Sequence, residues 1–217
     1  HGAPSERNAH PHISGPGIAL VHNGIIENHD VLRDKLAAAG YVFDSDTDTE
    51  VIAHLIHYYR KSSPDLEAAV RKTVIELEGA YALVVMSRDE PDQLIVAREG
   101  CPVVIGIGIG ENFVASDVAA LLPVTRRFMF LEEGDIGVIT RRAVKITDLS
   151  GKPMQRAETE SELSADSVER GQFRHYMLKE IYEQARAVAE TLSERIADGR
   201  VLDAAMGPCA GAILDRI

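Results

Sequence analysis

The sequence predicts an α+β fold built on antiparallel sheet. Three observations carry that prediction. Apolar residues recur at helical spacing in the first third of the chain, at Leu32 and Leu36, at Val51, Ile52, Leu55 and Ile56, and at Leu66, Val70, Val74 and Leu77. From Ala80 the pattern changes to short β-rich runs separated by turn residues. The helices come first and most strands later, the order of a layered α+β domain rather than of alternating βαβ units.

Taken in order, residues 1 to 16 are rich in Gly, Pro, Ser and His and read as loop. Gly17 to His22 is a short apolar run, expected as a buried strand. Asn28 can cap a helix running to Ala39, with Gly40 as its stop. Tyr41-Val42-Phe43 reads as a short strand. The segment SDTDTEVIAHLIHYYRK opens on acidic and hydroxyl residues, as a helix N-terminus does, and continues with an apolar stripe through Tyr59. Ser63-Pro64 predicts the start of a third helix that ends at Gly79. The runs AYALVVM, QLIVAR, PVVIGIG, NFVAS, VTRRFMFL, DIGVIT and AVKITD then predict antiparallel strands. Residues 151 to 172 are polar and acidic and read as a linker. The last long segment, from Phe173, is an amphipathic helix with Met177, Ile181, Val188, Leu192 and Ile196 on one face and Gly199 past its end.

Bulk properties exclude several functions. The net charge of −11 argues against binding a phosphate backbone. No apolar run approaches the length of a membrane span. Cys101 and Cys209 make neither a metal spacing nor a disulfide framework, which suits a reducing cytoplasm. The chain opens at His1 in what reads like the middle of a loop and stops without a closing element, so it is expected to be an excerpt cut at both ends.

Few residues could carry chemistry. Asn23-Gly24 between apolar runs suits a type I′ hairpin turn. It also suits an oxyanion hole, in which an Asn amide and a Gly N–H face an oxygen that becomes negative. Asp44, Asp46 and Asp48 resemble a calcium loop, but positions six and twelve are Thr49 and Leu55 instead of Gly and Glu. The segment then supplies a helix N-cap from Asp46, Thr47 or Asp48, or a carboxylate near the helix start held for a ligand ammonium. His10 and His12 lack partners for a metal site, and His54 and His57 read as packing or surface residues. Gly106, Gly108 and Gly110 precede no helix and fit a crowded sheet better than a phosphate loop.

The stretches HGAPSERNAHPH, VHNGIIENH, SDTDTEVIAHLI, LEGAYAL, ASDVAALLPVTRRFMFLEEGDI and RHYMLKEIYEQ, in this order, resemble the glutaminase domain of the glutamine–fructose-6-phosphate aminotransferase family. The resemblance implies a four-layer αββα sandwich of the N-terminal-nucleophile hydrolase class. It implies a glutaminase domain over 1–163, a linker over 164–173, and the start of a sugar-isomerase domain over 174–217. It implies that an N-terminal cysteine attacks the side-chain amide of L-glutamine and that the ammonia aminates fructose 6-phosphate in the isomerase domain. No cofactor or metal is implied for that step. The intact protein is expected to be a cytoplasmic homo-oligomer, with neither nucleic acid nor membrane as partner. Asn23 and Gly24 match the family's oxyanion donors, Asp48 the residue that holds the glutamine α-ammonium, and His1 a residue lining that pocket. The cysteine and the His-Thr-Arg-Trp-Ala-Thr segment that should end just before or at His1 are not among these residues, so the fragment alone is expected to be inactive. The alternatives are a non-catalytic glutamine-binding or regulatory module, or an acidic structural domain with an ordinary hairpin at Asn23.

Overall fold

A computed structural model of the chain describes residues 2–15, 17–161, 173–193, 196–197 and 200–201. His1 and most of the 164–173 segment therefore lie outside the described residues. The chain divides into two compact units, 1–165 and 166–217.

In the first unit, β1 (His12–Ser14) and β2 (Ile18–Ile26) precede α1 (His29–Ala38), α2 (Asp48–Arg60) and α3 (Leu66–Glu76). Nine strands follow: β3 (Gly79–Ser87), β4 (Glu90–Glu99), β5 (Val104–Ile107), β6 (Asn112–Ala115), β7 (Arg127–Phe130), β8 (Ile136–Thr140), β9 (Val144–Thr147), β10 (Pro153–Met154) and β11 (Glu158–Glu160). They form a seven-stranded sheet, order β1-β2-β3-β4-β8-β9-β10, and a four-stranded sheet, order β11-β7-β5-β6. The pairings within both sheets are antiparallel, as the short, turn-separated runs predict.

Two apolar interiors stack these layers. Leu36, Ile52, Leu55, Ile56 and Leu66 from the helices pack with Leu20, Leu83 and Ile95 from one face of the large sheet. Val96, Ile139 and Ile146 of the large sheet pack with Val103, Ile105 and Leu131 beside the small one. Each fully buried aliphatic side chain contributes about 1.5–3 kcal/mol. On the small sheet, Gly106 leaves room for Thr125 and Leu121, so its lack of a side chain serves packing, as expected.

Several expectations are corrected. Asn23-Gly24 is not a hairpin turn: β2 runs unbroken through both, with Asn23 opposite Ala82 and Gly24 opposite Tyr81 of β3. Residues 12–14 form a strand inside the expected loop. Tyr41–Phe43 is not a strand. The backbone there is tied by side chains instead: His54 Nε2 donates to the Val42 carbonyl at 3.0 Å and the Asp44 N–H donates to Glu50. Asn28 makes no side-chain cap; it bridges the Glu76 carbonyl and the Glu78 N–H at the α3–β3 junction. Asp65, not Ser63, caps α3. Gly79 opens β3 rather than closing a helix. Part of the polar stretch after 151 is sheet, since β10 and β11 lie at the edges of the two sheets.

In the second unit, α4 (Tyr176–Ser193) is the expected amphipathic helix, with the Phe173 ring 5.5 Å from that of Tyr182. Ile196 is not on it: β12 (Ile196–Ala197) pairs with β13 (Arg200–Val201). Among the described residues no helix is long and apolar enough to cross a membrane.

Candidate active site

The site grows from the meeting of β2 with the first turn of α2. On β2 the side chains alternate: Ile18, Leu20 and His22 point inward and are buried, while Val21, Asn23 and Ile25 face out. Beyond Leu20 the β1 side of β2 has no strand neighbour among the described residues. Asn23 borders a cavity of about 180 Å³ between the two sheets, shared with Val21, Ala82, Val84, Val114 and Ser116. Gly24 has φ +123°, and a Cβ there would fall on the Ala80 carbonyl of β3.

Helix α2 begins where Thr47 Oγ1 accepts the Glu50 N–H at 3.2 Å. That brings Asp48 onto β2. Asp48 is buried, and its Oδ2 accepts the Ile26 N–H at 2.9 Å. Its Oδ1 lies 3.9 Å from Nδ1 of His22. His22 Nδ1 is also 3.1 Å from Thr49 Oγ1, which is 3.4 Å from His10 Nε2. So β2 touches the start of α2 on both sides of Asn23-Gly24, at His22 and at Ile26.

Burial pushes the His22 imidazole below its ordinary range, although Asp48 pulls the other way. Burial does the same to His10, His12, His54 and His57. Burial raises Glu50, but hydrogen bonds from the Ser45 hydroxyl and from the Asp44 and Ser45 N–H groups outweigh it and hold Glu50 below its usual value.

Of the sequence candidates, Asn23, Gly24 and Asp48 are thus gathered at one strand–helix junction, and His1 lies outside the described residues. Asp44 and Asp46 do not join Asp48 in a cation site; no group of metal-ligating side chains occurs among the described residues. Of the two readings for His54, packing or surface, the structure gives packing: it is buried and bonded to Ser14 at 2.7 Å. Reading the sequence passed over His22, Thr49 and the Ile26 N–H. The alternation Ile18, Leu20, His22 was the available signal for His22.

Residues 3–123 match a protein-family model described as "Glutamine amidotransferase domain". Over all 217 residues the chain is 57% identical to glutamine–fructose-6-phosphate aminotransferase [isomerizing] of Shewanella oneidensis. It is 54% identical to the enzyme of the same name from Escherichia coli K12. The chain spans 36% of the length of each of these relatives. Among solved structures it resembles glutamine phosphoribosylpyrophosphate amidotransferase from B. subtilis, complexed with ADP and GMP. That likeness has TM-score 0.58 and 29% identity over 70% of this chain and 34% of the other. A second likeness is to the allosteric regulatory enzyme of purine biosynthesis, with TM-score 0.56 and 30% identity over 66% of this chain and 31% of the other.

Proposed function

Because the chain belongs to the glutamine amidotransferase family, we propose that it forms the glutaminase half of an enzyme making glucosamine 6-phosphate from glutamine and fructose 6-phosphate. The position of Asp48 carries the reading. Its carboxylate rests on the Ile26 N–H, two residues along the same strand from Gly24. Strand rise separates those residues by about 6.7 Å. An extended glutamine spans about 5 Å from its α-nitrogen to its side-chain carbonyl carbon. A substrate with its ammonium at Asp48 therefore brings its amide to Asn23-Gly24.

In this reading a thiolate from an N-terminal cysteine attacks that carbonyl carbon. The Asn23 amide and the Gly24 N–H donate to the oxygen as it becomes negative; the cysteine's own α-amine, having taken the thiol proton, passes it to the nitrogen, so collapse expels ammonia and leaves a thioester that water cleaves to glutamate. Asp48 binds the α-ammonium, and His1 lines the same pocket. Residues 1–163 are the glutaminase domain, 164–173 a linker and 174–217 the start of the sugar-isomerase domain. The intact protein is a cytoplasmic homo-oligomer that needs no cofactor for the glutaminase step.

The test is Asp48→Asn in the full-length protein. Losing a charge-assisted hydrogen bond of about 1.5–3 kcal/mol raises the glutamine KM by about 10- to 100-fold. Amination from added ammonia, where the wild type shows it, is spared. An unchanged glutamine KM would reduce Asp48 to a helix-start residue.

A further inference from the structure

The turn that leads into α2 is held from several sides. From α2 itself, Glu50 accepts the Asp44 and Ser45 N–H groups at 2.9 and 2.7 Å and the Ser45 hydroxyl at 2.6 Å. From α1, Arg33 takes the carbonyls. Its Nη2 donates to the Thr47 carbonyl at 2.9 Å and its Nη1 to that of Ser45 at 3.3 Å. The guanidinium lies over the Phe43 ring, 4.4 Å from the centroid. A planar fork with fixed donors bridges two carbonyls and stacks on a ring at once; an ammonium is a point charge and does not. Residues 7–12 also touch the turn, through Arg7 and Asn8 on Asp46 and His12 on the Thr47 hydroxyl.

The reaction above has no direct use for Arg33, yet its place in the chain matters. Strand β2 ends at Ile26 and α1 begins at His29. Arg33 lies in the second turn of α1, between Leu32 and Leu36, which are both buried in the core. Its fork reaches Thr47, the next residue is Asp48, and Asp48 Oδ2 accepts the Ile26 N–H. These contacts close a ring from β2 through α1 and Arg33 to the start of α2 and back to β2. The bonds from Glu50 travel with α2, so they hold the shape of the turn and not its place. Arg33 holds its place, because α1 follows β2 directly.

We propose that Arg33 is a positioning residue for glutamine: it holds the Thr47–Asp48 peptide against α1 and so sets the span from Asp48 to Asn23-Gly24. The proposal rests on the glutaminase reading and adds to it what fixes that span. A substrate held at both ends loses its reactive geometry when one end drifts, and a misplacement of ~1 Å costs on the order of 10²-fold in rate.

The test is a double-mutant cycle in the full-length protein, read as kcat/KM for glutamine. Arg33→Met keeps an unbranched stem and removes the fork, and should lower kcat/KM by about 10- to 100-fold. In an Asp48→Asn background the same change should cost much less, because the group being positioned has already lost its charge. Equal fold-losses in both backgrounds would overturn the proposal and leave Arg33 a residue of general stability. A wild-type kcat/KM in Arg33→Met would overturn it as well. Amide exchange reads the placement without substrate: the Ile26 amide should exchange faster in Arg33→Met, while the amides of β3 and β4 keep their wild-type rates. Faster exchange throughout the sheet, or none at Ile26, counts against the proposal. Should Arg33→Met not fold, Arg33→Lys decides, since it keeps the charge and cannot fork across both carbonyls. Its kcat/KM must fall too, and a wild-type value overturns the proposal. If the wild type does not hydrolyse glutamine at all, the glutaminase reading fails and the proposal with it. A wild type that hydrolyses glutamine, with no coupling between Arg33 and Asp48, sinks the proposal alone.

Discussion

Gly24 sits in the middle of a strand at φ +123°, with the Ala80 carbonyl where a Cβ would be. Gly24→Ala therefore meets both backbone strain and a clash with main chain, which cannot rotate away. We expect a loss of about 1–3 kcal/mol or more in denaturant unfolding, together with loss of glutaminase activity. Retained stability would show that β3 can retreat from β2. Asn23 should behave in the opposite way. Its side chain is exposed at the cavity, so Asn23→Asp should barely shift the thermal midpoint of the full-length enzyme. It should lower kcat with glutamine by about 10² or more, since it sets a negative charge against a developing one. KM should change less, because the interaction strengthens only toward the tetrahedral intermediate. A variant that melts early yet keeps kcat would make Asn23 structural. At this scale the dipeptide was legible as special but not as to where. The need for glycine comes from β3, some 56 residues along the chain, and no local pattern announces that contact. His22 was legible in principle, being the third inward residue of a period-two run.

Helix α2 was the most legible element, because its stripe of Val51, Ile52, Leu55 and Ile56 follows the helical period and all four are fully buried. Its cap was narrowed to three candidates by composition, and Thr47 proves to be the one. Thr47→Ala should cost about 0.5–2 kcal/mol, since it also strips His12 Nε2 of the oxygen 3.2 Å away. An unfolding midpoint equal to the wild type's would mean that Ser45 takes over the cap. What composition could not reveal is the polar seam beside the helix. His54 Nε2 donates to the Val42 carbonyl, and in the neutral ring that burial favours Nδ1 accepts from the Ser14 hydroxyl, which also lies 3.2 Å from His57 Nδ1. Burial holds His54 toward the neutral form, and its bond to the Val42 carbonyl ties Tyr41–Phe43 to α2 without a strand partner. The consequence is a pH-dependent stability. These histidines are held below the ordinary value of 6.5, so above that pH both folded and unfolded forms are neutral. As pH falls through 6.5 the unfolded chain takes up protons that the folded one refuses, and stability drops until the folded values are reached. Glu50 is held below 4.5, so its contribution is lost only at lower pH and does not blur this window. The thermal midpoint should be level from pH 8 to 7 and decline from pH 6.5 to 5; a level profile down to pH 5 would contradict the neutral seam.

Across the whole first unit, antiparallel sheet followed from strand spacing and the two-sheet layering from the family resemblance, but the connection that closes it followed from neither. Residues 153–160 looked like the beginning of a linker because their side chains are polar. Ladder pairing uses backbone groups, so an edge strand can stay polar and exposed. β10 extends the large sheet and β11 the small one, and between them Arg156 reaches the buried carboxylate of Asp135 with two bonds of 2.8 Å. Asp135 also accepts the Glu132 N–H at 2.8 Å, which fixes the turn leading into β8. Asp135 is 1% exposed, so it depends on this partner, whereas surface pairs such as Lys145–Glu67 contribute little. Arg156→Met leaves a buried carboxylate facing apolar atoms, and should destabilise the first unit by about 3–5 kcal/mol in urea unfolding. Adding Asp135→Asn removes the orphaned charge, keeps an acceptor for the Glu132 N–H, and should recover part of that loss. The double-mutant cycle then separates the cost of an unpaired charge from the worth of the pair itself. If Arg156→Met alone unfolds at the wild-type midpoint, the 153–160 crossing is dispensable, and the two sheets are held by their shared apolar interior of Val96, Ile105, Leu131 and Ile139 without it.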